Sequence, residues 1–257
     1  LVTDTTNVVA SLATVAISDS GSIASTVLAS IAAKTSGTVT ASNITEITEA
    51  AATIGTDAAT VLSALGVAPN AAVTITGAIS AADLDLIANA TNGVVTATIS
   101  DGAVAATLTA IGNVDANDVI TFTTTDTSAD ASDLVDLNAK VDNFTATTVT
   151  TITEAAATIG TDAATVLSAL GVASNAAVTI TGAISAANAD LIADATNGVV
   201  TATVSDTAIA DLTGISGTGN ALTITVGTAT VSASDLIAVN AATTETVTAT
   251  AVTRVNG

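Results

Sequence analysis

Short segments with threonine at every second position recur along the whole chain. A two-residue period of β-branched side chains predicts a strand with two unlike faces. In one such strand Val95, Ala97 and Ile99 share a face, and the two threonines between them share the other. We expect the apolar face to point into the core and the threonine face to point outward. The segments have the form Thr-x-Thr and begin at Thr38, Thr74, Thr96, Thr121, Thr145, Thr179, Thr201, Thr223 and Thr248, with a weaker version at Ala16.

Segments with helical spacing lie between the predicted strands. The first clear one has an apolar stripe at positions i, i+3, i+4 and i+7. Its residues are Ala58, Val61, Leu62 and Leu65. Thr56 or Asp57 is expected to cap the N-terminus of this helix, and Gly66 is expected to end it.

Three further helices follow from the same spacing. One is predicted to start after Ser80 as its N-cap and to end before Asn92 and Gly93. Helices of about ten residues are marginal alone in water, so we expect all of them to pack on the strands. The apolar stripes of the other two are Ile23, Val27 and Ile31, and Leu134, Leu137 and Val141.

The order of these elements predicts the fold class. Successive Thr-x-Thr segments start 22 to 36 residues apart, and most separations fall in the range of about 20 to 29 residues that strand-plus-helix solenoids use. A strand, a helix and a second strand with the same facing form a parallel sheet. We predict an α/β solenoid of nine or ten rungs, each rung being one strand and the helix after it. The alternative is an all-β parallel solenoid.

A long internal repeat supports a modular chain. Residues 47–101 return as residues 152–206, 105 positions later, with five differences in 55 positions. We expect residues 1–257 to form a single continuous solenoid with a 105-residue superrepeat. The two longest separations, before Thr74 and Thr179, carry the insertion EAAATIGTDAAT, which predicts one enlarged rung in each copy. Neither end resembles a cap, so we expect continuation into a longer protein or end-to-end stacking.

Composition narrows the possible partners. Apolar residues make up 49% of the chain and aromatic residues 1%, which suits thin, regular layers of small side chains. Three basic residues stand against 23 acidic ones, for a net charge of −20. Nucleic acid and anionic membranes are therefore excluded as expected partners, and no apolar run is long enough for membrane insertion. The acidic surface suits a saline or divalent-rich medium that screens its self-repulsion. The absence of cysteine leaves the redox compartment undetermined.

The sequence contains little that could support catalysis. Without histidine or cysteine, a serine triad or a thiol site cannot form in its ordinary version. A carboxylate pair of the kind used in glycoside hydrolysis would be Asp83 with Asp85, or Asp133 with Asp136. These residues lie at predicted helix starts, where an N-cap or helix-dipole role explains them, and Asp83 is Asn188 in the second copy. We therefore predict no enzyme and no catalytic residue.

Calcium is the one cofactor that the sequence suggests. Asp115, Asp118, Asp126 and Asp130 bracket one predicted strand, and Ca²⁺ needs several oxygen ligands that converge from loops. No EF-hand spacing is present, so the alternative is a set of solvated loop acids. The glycine-rich segment GISGTGN, ending at Asn220, lacks the lysine of a phosphate-binding loop and is predicted to be a turn.

The rows of threonine allow two interpretations. Flat Thr-x-Thr arrays at the spacing of neighbouring strands, about 4.8 Å, are used by ice-binding proteins. Threonine is also a good strand former on an exposed face, which favours a structural ladder or a lateral packing surface.

Several runs resemble a known group of proteins. TNGVVTATISD, AVTITGAISAADLDLI and GISGTGNALTITV are similar to the tandem repeats of giant cell-surface and extracellular β-strand-repeat proteins of cyanobacteria and other, mostly marine, bacteria. The resemblance implies an extracellular structural or adhesive role, with secretion directed by a separate region. The calcium-binding GGxGxD repeats that such proteins often carry are absent from this sequence.

Two functions follow as hypotheses. The first is an extracellular structural protein, a rigid spacer or a self-assembling filament or surface layer, whose partners are further copies bound end to end or laterally. The alternative is an adhesin or fibre segment that binds surfaces or glycans, for which Phe122 and Phe144 are the only aromatic residues.

Overall fold

The computed structural model describes residues 12–50, 54–155 and 163–257 of the chain. These residues belong to two compact units. The first unit comprises Leu1–Thr123 and Leu137–Thr145, and the second comprises Thr124–Asp136 and Ala146–Gly257. The continuity of one solenoid over residues 1–257 stays a prediction.

Short strands alternate with short helices throughout the described residues. The strands are β1 (Val15–Ala16), β2 (Gly21–Ala24), β3 (Val39–Thr40), β4 (Ile44–Ala50), β5 (Ala72–Ile79), β6 (Val95–Ile99), β7 (Val119–Thr123), β8 (Ser128–Asp130), β9 (Asn143–Thr145), β10 (Thr151–Ala155), β11 (Ala177–Ile184), β12 (Val200–Val204), β13 (Ala221–Thr223), β14 (Thr230–Ser232) and β15 (Arg254–Asn256). The helices are α1 (Ser25–Ala32), α2 (Ile54–Leu65), α3 (Ala81–Ala90), α4 (Val104–Ala110), α5 (Ala131–Lys140), α6 (Ala163–Val172), α7 (Ala186–Ala195), α8 (Ile209–Leu212) and α9 (Ala233–Ala241).

Every strand pairing in the described residues is parallel. The first unit contains a six-stranded sheet in the order β2-β4-β5-β6-β7-β9 and the pair β1-β3. The second unit contains a five-stranded sheet in the order β8-β10-β11-β12-β13 and the pair β14-β15. No sheet closes into a barrel. The fold class α/β with parallel sheets is confirmed, and the α-helices between the strands contradict the all-β alternative.

The register stacks apolar residues from successive strands. In the first unit Ile47 pairs with Val73, and Val73 pairs with Val95. In the second unit Ile152 and Val178 take the equivalent positions, and all five side chains are fully buried. Such columns exclude water from the inner face of each sheet, and burial of each of these side chains contributes about 1.5–3 kcal/mol.

The prediction of one enlarged rung in each copy is wrong. Each long separation between Thr-x-Thr segments contains a further strand, β4 or β10, which pairs with β5 or β11. In β10 the pattern is present as Thr151 and Thr153, whereas in β4 Glu46 replaces the first threonine, so its periodicity is weak. The insertion EAAATIGTDAAT supplies the end of these strands and part of α2 and α6, and its residues 51–53 and 156–162 lie outside the described residues.

Three Thr-x-Thr segments form less strand than predicted. β9 ends at Thr145 and β13 ends at Thr223, each at the first threonine of its segment. The last segment, at Thr248, forms only an isolated parallel bridge to Thr225. Conversely, the short strands β2, β8 and β14 lack the pattern.

The predicted buried faces of the strands and helices are confirmed with one exception. Val95, Ala97 and Ile99 are buried, and so are Leu134, Leu137 and Val141 of the helix that the sequence predicted there. The stripe Ile23, Val27 and Ile31 is wrong. Ile23 belongs to β2, because α1 begins only at Ser25. The helix therefore buries Ser25 and Leu28, and Val27 is exposed.

The helix ends follow the predicted signals in part. Ser80 is the N-cap of α3, and its hydroxyl accepts the Asp83 N–H, as predicted. α2 ends at Leu65, immediately before Gly66, but begins at Ile54, so the positions of Thr56 and Asp57 lie within the helix and not at its N-cap.

Candidate functional surface

The carboxylates of Asp83 and Asp85, which the sequence suggested as a catalytic pair, form hydrogen bonds with other groups of the protein. Asp83 lies in the first turn of α3, where its carboxylate accepts the Ser80 hydroxyl at 2.9 Å. Asp85, two residues later, accepts the backbone N–H of Asn113 at 2.6 Å and the Asn113 side-chain amide at 2.8 Å. Asp85 thus joins α3 to the loop after α4. Neither carboxylate is placed to act with the other as an acid–base pair.

The same link recurs in the second unit with a different partner. Asp190 of α7 accepts both the backbone N–H and the hydroxyl of Ser216 at 2.6 and 2.9 Å. Asp206 accepts the first N–H of α7, from Ala186, at 2.6 Å. These carboxylates border a shallow cleft of about 530 Å³, and their bonds to backbone groups give them structural roles. The lining residues are Ala187, Asp190, Leu191, Asp206, Asp211 and Gly214.

Asp133 lies in the first turn of α5, close to two other acidic residues. Burial raises the pKa of its carboxyl above the ordinary value, and the carboxylates of Asp130 and Asp136 raise it further. Asp130 immediately precedes α5 and accepts the Ser132 N–H at 3.0 Å, which is N-cap geometry. Asp133 therefore lies in the first turn of α5, where the sequence placed it, whereas Asp136 lies about one turn further along the helix.

The four calcium candidates separate into two pairs. Asp115 and Asp118 lie in the first unit, where the Asp115 N–H donates to Asp118 Oδ2 at 3.1 Å. Asp126 and Asp130 lie in the second unit. Among the residues that the structure describes, no group of three or more acidic side chains is arranged to hold a metal ion. Calcium binding at these loops stays a prediction.

One of these acids, Asp118, forms a hydrogen bond to a neighbouring strand. Its carboxylate is buried, and Oδ1 accepts the backbone N–H of Val95, the first residue of β6, at 2.8 Å. Asp118 itself immediately precedes β7. A polar side chain before one strand thus accepts an N–H at the start of the neighbouring strand. This bond gives a buried N–H group a partner, and leaving that group without one would cost about 1–3 kcal/mol of stability.

The same bond recurs at other strands with other side chains. Asp142 accepts the Ile120 N–H at 3.1 Å in the first unit. In the second unit Asn220 accepts the Val200 N–H and Thr243 accepts the Leu222 N–H, both at 2.9 Å. Asn220 ends the segment GISGTGN, which lies between α8 and β13 as predicted for a turn. Sequence patterns missed this series, because its members are Asp, Asn and Thr at unequal spacing.

A Thr-x-Gly turn provides a second recurring link. The Thr91 hydroxyl donates to the Ala71 carbonyl at 2.7 Å and accepts the Gly93 N–H at 2.9 Å. Thr196 makes the equivalent bonds in the second unit. A Cβ atom on Gly93 would lie 2.5 Å from the Ala71 oxygen, so only glycine permits this approach. The asparagines inside the two turns donate to Asn70 and Asn175 at 3.0 and 2.9 Å.

Two glutamates of the inner sheet face were also missed. Glu49 of β4 and Glu154 of β10 are buried, and the two-residue period places each on the same face as a buried isoleucine, Ile47 or Ile152. The Ser25 hydroxyl donates to the Glu49 carboxylate, and each glutamate accepts the N–H of the next residue at 2.8 Å. These carboxylates are hydrogen-bonded within the protein interior.

The outward strand face carries the Thr-x-Thr rows. In the second unit Thr153 pairs with Thr179, and Thr179 pairs with Thr201, across three neighbouring strands. In the first unit the equivalent row begins at Thr48 and continues through Thr74. The two aromatic residues do not contribute an exposed platform, because Phe122 is fully buried and packs on Phe144 with ring centroids 5.5 Å apart.

No helix in the described ranges has both the length and the apolar character needed to cross a bilayer. No protein-family model, no curated protein and no solved structure matches the chain.

Proposed function

We propose that the chain is an extracellular structural repeat protein, an α/β solenoid that serves as a rigid spacer or assembles into a filament or surface layer. The observation that carries this proposal is a hydrogen bond that recurs at four of the described strands. The N–H of the first or second residue of the strand donates to the side chain of Asp118, Asp142, Asn220 or Thr243, which lies 20 to 23 positions later in the chain. Residue identity varies while the link is kept, which is expected where selection acts on stacking.

The register supports stacked rungs. Paired residues of neighbouring strands lie 20 to 26 positions apart, from Ala202 and Leu222 to Ile47 and Val73. This spacing matches the length of a strand-plus-helix rung. In such a stack stability is a sum of rung and interface contributions, so length can change without loss of the fold.

The polar groups favour this role over catalysis. The carboxylates of Asp85, Asp190 and Asp206 accept backbone N–H groups at 2.6 Å, so they hold loops and helix ends. We therefore propose no enzymatic activity. The net charge of −20 favours a saline or divalent-rich medium that screens self-repulsion, and calcium would act there as a counterion.

Removal of one superrepeat tests the solenoid. Deletion of residues 47–151 joins residue 46 to the identical context at Ile152. We expect the shortened chain to keep its far-ultraviolet circular dichroism per residue and to unfold cooperatively in urea, with a smaller m-value. Deletion of residues 47–139 is the control, because it joins strands out of phase. If both deletions unfold the chain, the solenoid is wrong.

Electron microscopy with analytical ultracentrifugation tests self-assembly. Filaments or sheets whose repeat corresponds to whole rungs, of about 4.8 Å each, are expected at high concentration, with or without Ca²⁺. Monomers under all these conditions would contradict the assembly part of the proposal. Binding to a glycan panel would favour the alternative, an adhesin or fibre segment, and product release from a polysaccharide would contradict a structural role.

A further inference from the structure

The two Thr-x-Gly turns contain the dipeptide Asn-Gly, at Asn92-Gly93 and at Asn197-Gly198. Both asparagines are exposed to solvent. In an Asn-Gly dipeptide the asparagine side chain reacts readily with the backbone, because glycine has no Cβ to shield its nitrogen or to restrict its conformation. Each turn therefore carries two groups that can react with one another.

A third turn shows that asparagine is not required for this geometry. Its threonine, Thr35, donates to the Ala13 carbonyl at 2.7 Å and accepts the Gly37 N–H at 2.9 Å. The turn at residues 91–93 makes the same two bonds at the same lengths. The middle position of the third turn is Ser36. The reactive asparagine is thus a property of two turns and is separate from the bonds that form them.

In the closed turn both reacting groups are held by other partners. The Gly93 N–H donates to the Thr91 hydroxyl at 2.9 Å, so it does not face a base from solvent. The Asn92 side-chain amide donates to Asn70 Oδ1 at 3.0 Å, which holds it against the loop before β5. The turn at residues 196–198 makes the equivalent bonds, both at 2.9 Å. Attack of the glycine nitrogen on the asparagine therefore requires the turn to open.

We infer that Asn92 and Asn197 are modification sites, which deamidate when their turns open. In the first turn the Gly93 nitrogen loses its proton and attacks Cγ of Asn92. The bond from Cγ to the side-chain nitrogen breaks, and that nitrogen takes up a proton and leaves as ammonia. The product is a five-membered succinimide ring, which water opens at either carbonyl to give aspartate or isoaspartate. Water is the only co-reactant, and the reaction is independent of the proposed structural role.

The modified turn cannot close again in its original form. An ionised carboxylate accepts hydrogen bonds but donates none, so the new side chain loses the bond to Asn70 Oδ1 and brings a negative charge to that oxygen. Isoaspartate also adds one carbon to the backbone next to Gly93, where even a Cβ atom would lie 2.5 Å from the Ala71 oxygen. Deamidation thus makes a transient opening of the turn permanent.

Mass spectrometry of the full chain, incubated at mildly alkaline pH, tests the inference. Peptides that cover the two turns differ in mass because the first contains Ile99 and the second contains Val204. We expect both asparagines to deamidate at least about tenfold more slowly in the native chain than in urea, because only the open population reacts.

The variant T91V tests the role of the turn. It removes the hydroxyl that holds the Gly93 N–H, so deamidation at Asn92 should become several-fold faster than in the wild type. Asn197 in the same molecule is the internal control and should keep its wild-type rate. The reciprocal variant T196V should accelerate the reaction at Asn197 alone.

Two substitutions of Asn92 test the consequence of the reaction. N92D places the product's carboxylate in the turn and should lower the urea midpoint. N92S is its control, because serine occupies this position in the turn at residues 35–37, and its midpoint should lie closer to that of the wild type.

Three outcomes would overturn the inference. The first is deamidation at equal rates in the native chain and in urea. The second is a folded T91V, with the urea midpoint of the wild type, in which Asn92 reacts no faster. The third is an equal acceleration at Asn92 and Asn197 in T91V, which would assign the reaction to unfolding of the whole chain.

Discussion

The Ser25 hydroxyl, at the first residue of α1, donates a hydrogen bond to the Glu49 carboxylate of β4, and both side chains are buried. The second unit contains the same buried glutamate, Glu154, but the residue equivalent to Ser25 is Ala131. This equivalence follows from the register, because Ala24 pairs with Thr48 and Asp130 pairs with Thr153. The hydrogen bond from serine to the buried glutamate therefore belongs to the first unit, and the second unit has alanine at the serine position.

S25A should destabilise the protein, because it removes a donor from a buried carboxylate. We expect a loss of about 1–3 kcal/mol in the free energy of unfolding, measured by urea titration. A131S is the matched variant, and it should stabilise the second unit by offering Glu154 a new donor. Ser30, which is exposed and bonds the Thr26 carbonyl within α1, provides the control S30A. Equal effects of S25A and S30A would contradict the prediction.

T107V should stabilise the protein. The Thr107 hydroxyl is buried in α4 and has no hydrogen-bond partner among the described residues, and the second copy has buried Leu212 at the equivalent position. Valine keeps the shape and removes the unsatisfied group, so we expect a gain of about 1 kcal/mol in urea unfolding. T109V is the control, since the Thr109 hydroxyl is exposed and bonds the Ala105 carbonyl. A loss of stability in T107V would show that the hydroxyl has a partner in solution.

D133N should stabilise the protein at neutral pH. Burial, Asp130 and Asp136 raise the pKa of the Asp133 carboxyl in the folded state, so the folded state binds its proton more tightly than the unfolded state does. The stability that comes from this proton is fully present below the unfolded pKa of about 3.8 and is lost as pH rises through the folded pKa. The advantage of D133N should therefore be present at pH 7 and absent at pH 3.

The control for D133N is D194N. Asp194 is exposed and is Asn89 in the first copy, so its replacement removes one charge at a site that accepts asparagine. Urea midpoints of both variants are compared from pH 3 to pH 8. If D194N gives the same gain at pH 7, relief of overall repulsion explains the effect and the local cause is wrong.

G93A and G198A should each destabilise the protein. An added Cβ would lie 2.5 Å from the carbonyl oxygen of Ala71 or of Ala176, so the Thr-x-Gly turn must move away from the neighbouring strand. We expect losses of about 1–3 kcal/mol, typical of overpacking, in thermal or urea unfolding. G112A is the matched control, because nothing lies within 4 Å of its added Cβ. A neutral G93A would show that the turn is loosely packed.

The two-residue period predicted the faces of some strands correctly, but it did not locate every strand, since β10 carries the pattern and was missed and the segment at Thr248 forms only an isolated bridge. Val95, Ala97 and Ile99 were assigned to the core on that basis, and they are buried. The two-residue period did not predict β4, because Glu46 interrupts the threonine pattern there. At α1 the helical spacing assigned Val27 to the core, whereas the structure buries Leu28. Both errors occur beside short elements, whose few residues repeat too little to show which positions face the core.

The candidate site was predicted only in its residue types. Acids at helix starts were expected to be N-caps or helix-dipole partners, and Asp83 does lie in the first turn of α3, where Ser80 is the N-cap. Asp130, which the sequence suggested as a calcium ligand, precedes α5 and accepts the Ser132 N–H. The hydrogen bonds that Asp118 and Asn220 accept from neighbouring strands were not predictable, because they join residues 23 and 20 positions apart. Such distances depend on how each intervening helix packs and on the length of each loop.

The sequence by itself determined the alternation of strand and helix, the inward and outward faces, and the absence of histidine and cysteine, since these follow from local sequence or from composition. Tertiary structure decided which threonines stand beside one another and which acids are buried. Thr153, Thr179 and Thr201 form a row only because parallel pairing brings them into register. Glu49 and Ser25 contact each other for the same reason. The register depends on how whole strands and helices pack, and no single segment of the sequence fixes it.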